Sequence, residues 1–235
     1  MEKQCVDEFL DLYKQLEQSL KQVYGDDSGR YESVVVRYAN SREGEHWKDE
    51  LNAIREIRNL LQHNPKINGN YIVTPSDDIM DSLWCIINEV EHPLLAIDFG
   101  VKESQVYKAK LNSNLNRVLQ VMKDRGFSQV PIIENNKIYG VLSYYTVFEF
   151  VTEQGMQIIT DETKVSDLKS YLPFEAHKNE SYKFMPKTAT FAQADEAFEK
   201  RDSKGRRLVA LFITETGSPR EPMLAMLTPW SVVGK

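Results

Sequence analysis

The sequence lacks the features that mark several common classes of protein. It has two cysteines in 235 residues, Cys5 and Cys85, which are too few for a disulfide framework or a cysteine-based zinc site. No apolar run approaches the roughly 18 residues that a membrane-spanning helix needs, and the first residues lack the layout of a secretion signal. A glycine-rich phosphate loop, a nucleophile elbow and a metal-ligand cluster are missing too. These absences predict a cytoplasmic protein with no membrane anchor and no bound metal.

Positive charge is scarce in the first part of the chain. Residues 1–93 carry 10 Lys and Arg against 18 Asp and Glu, whereas the remainder carries 19 against 17. A protein that coats nucleic acid without sequence preference would be basic, so that class is disfavoured. The charge distribution favours binding of a small anionic ligand by the C-terminal part.

The first ninety residues have the periodicity of amphipathic helices. Apolar residues recur at three- and four-residue steps and predict helices over 2–24 and 45–63, with a third that begins at 74–76 and ends before Pro93. A short helix is predicted over 33–38. Helices joined by short loops predict that residues 1–93 form an all-α bundle.

A different pattern begins at Leu94 and occurs twice. Each copy predicts a helix, two strands joined by a tight turn, and a second helix or helical turn. The first copy has its helix at 115–125, its strands at 129–134 and 137–143, and its second helix at 146–152. The second copy has its helix at 190–201, its strands at 207–214 and 222–227, and a helical turn that begins at Thr228. Ser143 and Thr228 stand at corresponding places, 85 residues apart. We therefore predict an α+β protein in which residues 94–235 hold two small mixed sheets, with the repeats at about 94–153 and 164–235.

This C-terminal repeat resembles a CBS-domain pair. The resemblance is carried by Gly126–Ile133 and Gly140–Ser143 in the first copy, and by Arg206–Ile213 and Ala225–Ser231 in the second. CBS pairs are sensor modules that commonly hold adenosine-containing nucleotides in two clefts. In that family a Gly–apolar–apolar–Ser/Thr–x–x–Asp segment ends the second strand, where the hydroxyl meets phosphate and the Asp accepts from ribose.

Both hydroxyls of that segment are present here, but both acids are absent. Thr146 and Ser231 replace the two Asp residues, and Ala225 replaces a usual Gly. The resemblance implies ligand-binding roles for Ser143, Thr146, Thr228 and Ser231. Arg206 stands just before the strand predicted at 207–214, within reach of a phosphate; the alternative is that this arginine is simply solvated. The ligand would be an adenine nucleotide or, because the acids are gone, a phosphate-rich cyclic or linear oligonucleotide messenger; no resident cofactor is expected. Alternatively, the clefts are degenerate and the pair is a dimerisation scaffold.

A second motif lies near the end of the helix predicted over 45–63. Arg58 and Asn59 are followed by His63, an R-N-x-x-x-H pattern. RNA can be cleaved without metal when its own 2′-hydroxyl attacks phosphorus, which requires an acid or base near neutral pH and a cation for the developing charge. His63 and Arg58 have that chemistry, and Asn59 shares a helical face with His63.

The motif is similar to the signature of HEPN ribonucleases. In that family two chains dimerise so that two copies of the motif line one cleft, which implies here a homodimer or a higher even oligomer with catalytic Arg58, Asn59 and His63. Alternatively, Arg58 and His63 have no catalytic role and only interact favourably with the dipole at the C-terminus of their helix.

Two functions follow from these resemblances. The first is a metal-independent endoribonuclease that cleaves RNA and is controlled by a CBS-pair nucleotide sensor, a layout similar to that of phage-defence or stress-response ribonucleases. The second is a non-catalytic regulatory protein that senses nucleotides and uses its helical part for dimerisation or partner docking.

Overall fold

The computed structural model describes residues 2–25, 32–63, 66–67, 69–153 and 159–232. The chain divides into two compact units, Met1–Pro93 and Leu94–Lys235. The fold is of the mixed α+β class, as the sequence predicts.

Helices form most of the N-terminal unit. Its helices are α1 (Glu2–Tyr24), α2 (Val34–Ala39), α3 (Lys48–His63, preceded by a 3-10 turn at Glu45–Trp47) and α4 (Asp77–Glu91). The apolar faces of all four meet in one core, whose largest fully buried side chains include Phe9, Leu16, Ile54 and Ile86. The predicted helices are confirmed, and Ser76 caps the start of α4 by accepting a hydrogen bond from the Ile79 amide.

The prediction that this unit is all-helical is wrong. Between α3 and α4 the chain forms a small antiparallel hairpin of β1 (Lys66–Ile67) and β2 (Asn70–Tyr71). Gly69 supplies the left-handed backbone that the turn needs, with φ of 87°. Strands of two residues have no alternation of polar and apolar side chains, so periodicity cannot detect them.

The first repeat of the C-terminal unit has the predicted order of elements. It comprises α6 (Leu115–Arg125), β4 (Gln129–Glu134), β5 (Lys137–Ser143) and α7 (Tyr144–Glu153). Asn114 caps α6, and Gly126 ends it in the left-handed conformation. Asn135 and Asn136 both have positive φ, as a two-residue hairpin turn requires. A single parallel bridge from Ala109 to Ile132 adds a third chain segment to this sheet.

The second repeat contains one strand that the sequence analysis missed. Its elements are β6 (Glu180–Pro186), α8 (Phe191–Glu199), β7 (Arg207–Thr214) and β8 (Ala225–Leu227), followed by a 3-10 turn at Pro229–Ser231. β6 runs parallel to β7, and β8 is antiparallel to it.

The segment that precedes each repeat packs against the other repeat. Helix α5 (Ala96–Phe99) packs in the core of the second repeat, and β3 (Val101–Lys102) pairs with β8. Conversely, Val165 and Leu168 pack in the core of the first repeat. The predicted repeat boundaries at 94 and 164 are therefore wrong for these segments, because a strand can pair with a sheet far along the chain without any local signal.

Candidate functional site

The turn from β5 into α7 holds two of the predicted ligand-binding residues. Ser143 is fully buried and Thr146 is 2% exposed. The Thr146 amide donates to Ser143 Oγ at 3.2 Å, the Ser143 amide donates to Thr146 Oγ1 at 3.2 Å, and the two hydroxyl oxygens lie 3.1 Å apart. The hydroxyls thus cap the start of α7 from inside the protein.

A buried carboxylate lies against this turn. Glu180, at the start of β6, is 6% exposed, and the Ser143 side chain lies near enough to lower the pKa of its carboxyl. The Tyr182 hydroxyl donates to Glu180 Oε2 at 3.2 Å, and His177 Nδ1 lies 3.6 Å from the same oxygen. A buried carboxylate is costly unless it is paired and hydrogen-bonded, and here three side chains provide that compensation.

His177 connects this carboxylate to the chain around it. It is 5% exposed, and its Nε2 donates to the Leu172 carbonyl oxygen at 3.2 Å. Arg206 Nη1 donates to the His177 carbonyl oxygen at 2.6 Å, and Arg206 Nε donates to Asp202 at 2.7 Å. The predicted phosphate ligand Arg206 is therefore already held by two acceptors of its own chain.

Burial and hydrogen bonding act in opposite directions on the Glu180 carboxyl. Burial raises its pKa, but hydrogen bonds from His177, Ser143 and Tyr182 and the charge of His177 outweigh it, so the pKa lies below its ordinary value. Burial, with the adjacent Glu180 carboxylate, raises the pKa of Tyr182. Glu180 is thus ionised and Tyr182 is protonated near neutral pH.

The corresponding turn of the second repeat is more accessible. Thr228 and Ser231 are both half-buried, and the Thr228 amide donates to Ser231 Oγ at 3.1 Å. The Thr228 side chain in return accepts from the Ser231 amide. Trp230, between them, is 84% exposed. Within the described part of the chain, the hydrogen bonds of these two hydroxyls run only between the two residues.

Sequence reasoning missed His177, Glu180 and Tyr182. One signal was available: the alternation of Ser181, Tyr182, Lys183 and Phe184 is that of a half-buried strand, with an acid at its start. Nothing in the sequence indicated that this strand begins beside Ser143.

The three residues of the R-N-x-x-x-H motif lie on the last turns of α3. Asn59 and His63 are exposed. The Arg58 guanidinium lies 5.3 Å from the centre of the Tyr13 ring and 3.9 Å from a Glu17 carboxylate oxygen, and it donates to Asn59 Oδ1 at 3.2 Å. Arg58 is therefore held against α1 of its own chain, while the imidazole of His63 is open to solvent.

Two wider searches of the described residues were negative. They contain no group of three or more His, Cys, Asp and Glu side chains placed to hold a metal ion. None of the helices formed by those residues has the length and apolar character that crossing a membrane requires.

No family model and no curated protein matches this chain. Solved structures do match, among them CBSX2 in complex with AMP, with 18% identity over 60% of this chain and 93% of that chain and a TM-score of 0.43. A hemolysin-like protein containing a CBS domain from Oenococcus oeni matches at 14% identity, over 60% of this chain and 88% of its own, with a TM-score of 0.41. CbpB in complex with c-di-AMP matches at 13% identity, over 59% and 81%, with a TM-score of 0.42.

With TM-scores below 0.5, these likenesses are too loose to assign a ligand or an activity to this chain. Each of the three matches covers about 60% of this chain, and one of them is described as containing a CBS domain.

Proposed function

We propose that the protein is a nucleotide-sensing regulator whose C-terminal unit is a CBS-type pair. The observation that carries this proposal is the repeated turn: in both repeats a strand ends in a hydroxyl residue that is reciprocally capped by a second hydroxyl three residues later. At the second turn the half-buried hydroxyls of Thr228 and Ser231 accept from backbone amides, so each keeps its own proton to donate to a phosphate.

The type of ligand follows from the charge at the turns. Thr146 and Ser231 are neutral where the resembled family has carboxylates, so phosphates that come close meet no negative charge from those two positions. AMP and c-di-AMP, named for two of the fold neighbours, are the natural first probes. An adenine nucleotide or a cyclic dinucleotide is therefore the proposed regulatory ligand.

Isothermal titration calorimetry of the full chain with AMP, ATP and c-di-AMP tests this function. We expect at least one probe to bind, and Thr228→Val to weaken it about tenfold, since a hydrogen bond to a charged group contributes about 1.5 kcal/mol. Thr152→Val is the matched control, because the Thr152 hydroxyl only bonds back to its own helix. Absence of heat with every probe would contradict the proposal.

A metal-independent ribonuclease activity is a second candidate. It is favoured by the exposure of Asn59 and His63 on α3, where the His63 imidazole is open to RNA and Asn59 is held by a hydrogen bond from Arg58. In this proposal His63 transfers the proton, Asn59 orients the phosphate, and Arg58 neutralises the developing charge across a homodimer. Nucleotide binding in the C-terminal unit would then control the cleavage.

His63→Ala is expected to lower RNA cleavage at least about 100-fold, the usual contribution of a general acid or base. Single-stranded RNA is incubated with each variant, with and without EDTA and each nucleotide. His92→Ala is the control, because His92 is likewise exposed and stands at the end of α4. Cleavage that persists in His63→Ala, or that EDTA abolishes, rules out this candidate.

A further inference from the structure

The hydrogen-bonding capacity of the first turn is already used by the protein itself. A serine hydroxyl has one proton to donate and two lone pairs. Ser143 Oγ accepts from the Thr146 amide and lies 3.1 Å from Thr146 Oγ1, and the side chains of Glu180 and Tyr182 lie beside it. Because Ser143 has no exposed surface, a ligand could reach it only by displacing these partners.

The charge beside the first turn also opposes an anionic ligand. The Glu180 carboxylate is 6% exposed and lies beside Ser143, so a phosphate at this hydroxyl would lie near a buried negative charge. No described side chain places a carboxylate on the Thr228 hydroxyl of the second turn, which is half-buried. The two turns have similar capping geometry but differ in accessibility and in local charge.

The same network joins segments that are distant in sequence. Ser143 ends β5 of the first repeat, whereas Glu180 and Tyr182 belong to β6 of the second. His177 lies in the connection before β6, and its carbonyl oxygen accepts from Arg206, the residue before β7. Removal of the carboxylate would leave the buried Tyr182 hydroxyl without its acceptor and would remove the group that lies between Ser143 and His177.

We infer that Glu180, held by His177 and Tyr182, closes the cleft at Ser143 and makes it a structural joint between the repeats, so that the chain takes at most one nucleotide. The limit of one nucleotide rests on the proposed sensor function. The closed joint itself does not, and it can be tested without any ligand.

Chemical modification tests the joint in the absence of nucleotide. The full chain is treated with diethyl pyrocarbonate, and the modified histidines are located by peptide mass spectrometry. We expect His177 to react at least about tenfold more slowly than exposed His63 and His92, and to gain reactivity in Glu180→Gln, with Glu153→Gln, an exposed acid, as the control. Equal reactivity of the three histidines in the wild type would overturn the inference.

The number of nucleotides bound per chain tests whether the protein takes at most one. In equilibrium dialysis with whichever of AMP, ATP and c-di-AMP binds, we expect no more than one equivalent per chain. Ser143→Ala should change the affinity less than about twofold, whereas Thr228→Val weakens it. Two equivalents in the wild type, or equal losses in the two variants, would overturn the inference and leave the sensor function intact. Absence of binding would instead refute the sensor function, and the modification experiment would still decide whether the joint is closed.

Discussion

Glu180→Ala is expected to destabilise the C-terminal unit by about 3 kcal/mol, because a buried polar group left without its hydrogen-bond partner costs about 1–3 kcal/mol and more than one is affected here. The substitution leaves His177 Nδ1 and the Tyr182 hydroxyl without their acceptor, in a place where water has little access. It also removes a partner of Ser143, which is fully buried.

The same carboxylate gives the stability a pH dependence of known sign. The pKa of Glu180 is lowered in the folded protein, because the hydrogen bonds from His177, Ser143 and Tyr182 and the charge of His177 outweigh the effect of burial, which raises it. Its stabilisation is therefore fully present above its ordinary pKa of 4.5 and is lost as the pH falls from there through the folded value.

Urea denaturation followed by circular dichroism, at pH 7 and between pH 5 and pH 3, measures both effects. Glu153→Ala is the matched control: Glu153 also pairs with a cation, Lys178, but on the surface, and little change in stability is expected. An unfolding midpoint for Glu180→Ala that matches the control at pH 7 would show that the buried network contributes nothing. If the difference in unfolding free energy between the wild type and Glu180→Ala is the same at pH 3 as at pH 7, the carboxylate charge is not the source of that difference.

Gly140→Ala should destabilise the same unit by about 3 kcal/mol, at the upper end of what overpacking costs. A Cβ at Gly140 would overlap the carbonyl carbon and oxygen of Leu172, which are backbone atoms and have no rotamer to change. That carbonyl cannot move without cost, because it accepts hydrogen bonds from the Val141 amide and from His177.

The second repeat provides a natural comparison for this substitution, since Ala225 stands at the corresponding position and carries the methyl group without a clash. Gly205→Ala is the control variant: its φ is 76°, but an added Cβ would meet no atom within 4 Å, and a loss of about 1 kcal/mol is expected. Thermal unfolding of both variants measures the difference. If Gly140→Ala is no less stable than Gly205→Ala, the contact between β5 and the connection at Leu172 is not tight.

The sequence predicted the bounds of helices and strands best where a turn-forming or helix-ending residue stands at the end of the element. The end of α6 follows from Gly126, which takes the left-handed conformation, and the β4–β5 hairpin follows from two asparagines that tolerate positive φ. In α1 the apolar stripe alone was enough, because most of it faces one core, although Val23 at its end is exposed.

Features that depend on pairing between distant segments were not predictable. Strand β6 pairs in parallel with β7 across helix α8, and β3 pairs with a strand more than 120 residues later in the chain. Neither partner is encoded in a local pattern, and the repeat boundaries were misplaced for that reason. The β1–β2 hairpin is too short to show any period at all.

In the candidate site, too, local features were predictable and contacts between distant segments were not. The hydroxyl turns were recognisable because Ser143 and Thr228 recur at corresponding places in the two repeats. The burial of the first turn and the carboxylate beside it arise from the way β6 meets β5, and a sequence read in order does not reveal that Glu180 and Ser143 are neighbours. The exposure of His63 follows from the face of α3 on which it lies, which helical periodicity predicts. The contacts of Arg58 with Tyr13 and Glu17 depend on how α3 packs against α1, which periodicity does not predict.

Hydrogen–deuterium exchange of the full chain, with and without the nucleotide probes, tests the central claim that the C-terminal unit is a nucleotide sensor. With a nucleotide that binds, we predict slower exchange in peptides that cover 207–214 and 225–231, and unchanged exchange in peptides that cover 137–147. Exchange that stays the same throughout 94–235 with AMP, ATP and c-di-AMP would contradict it.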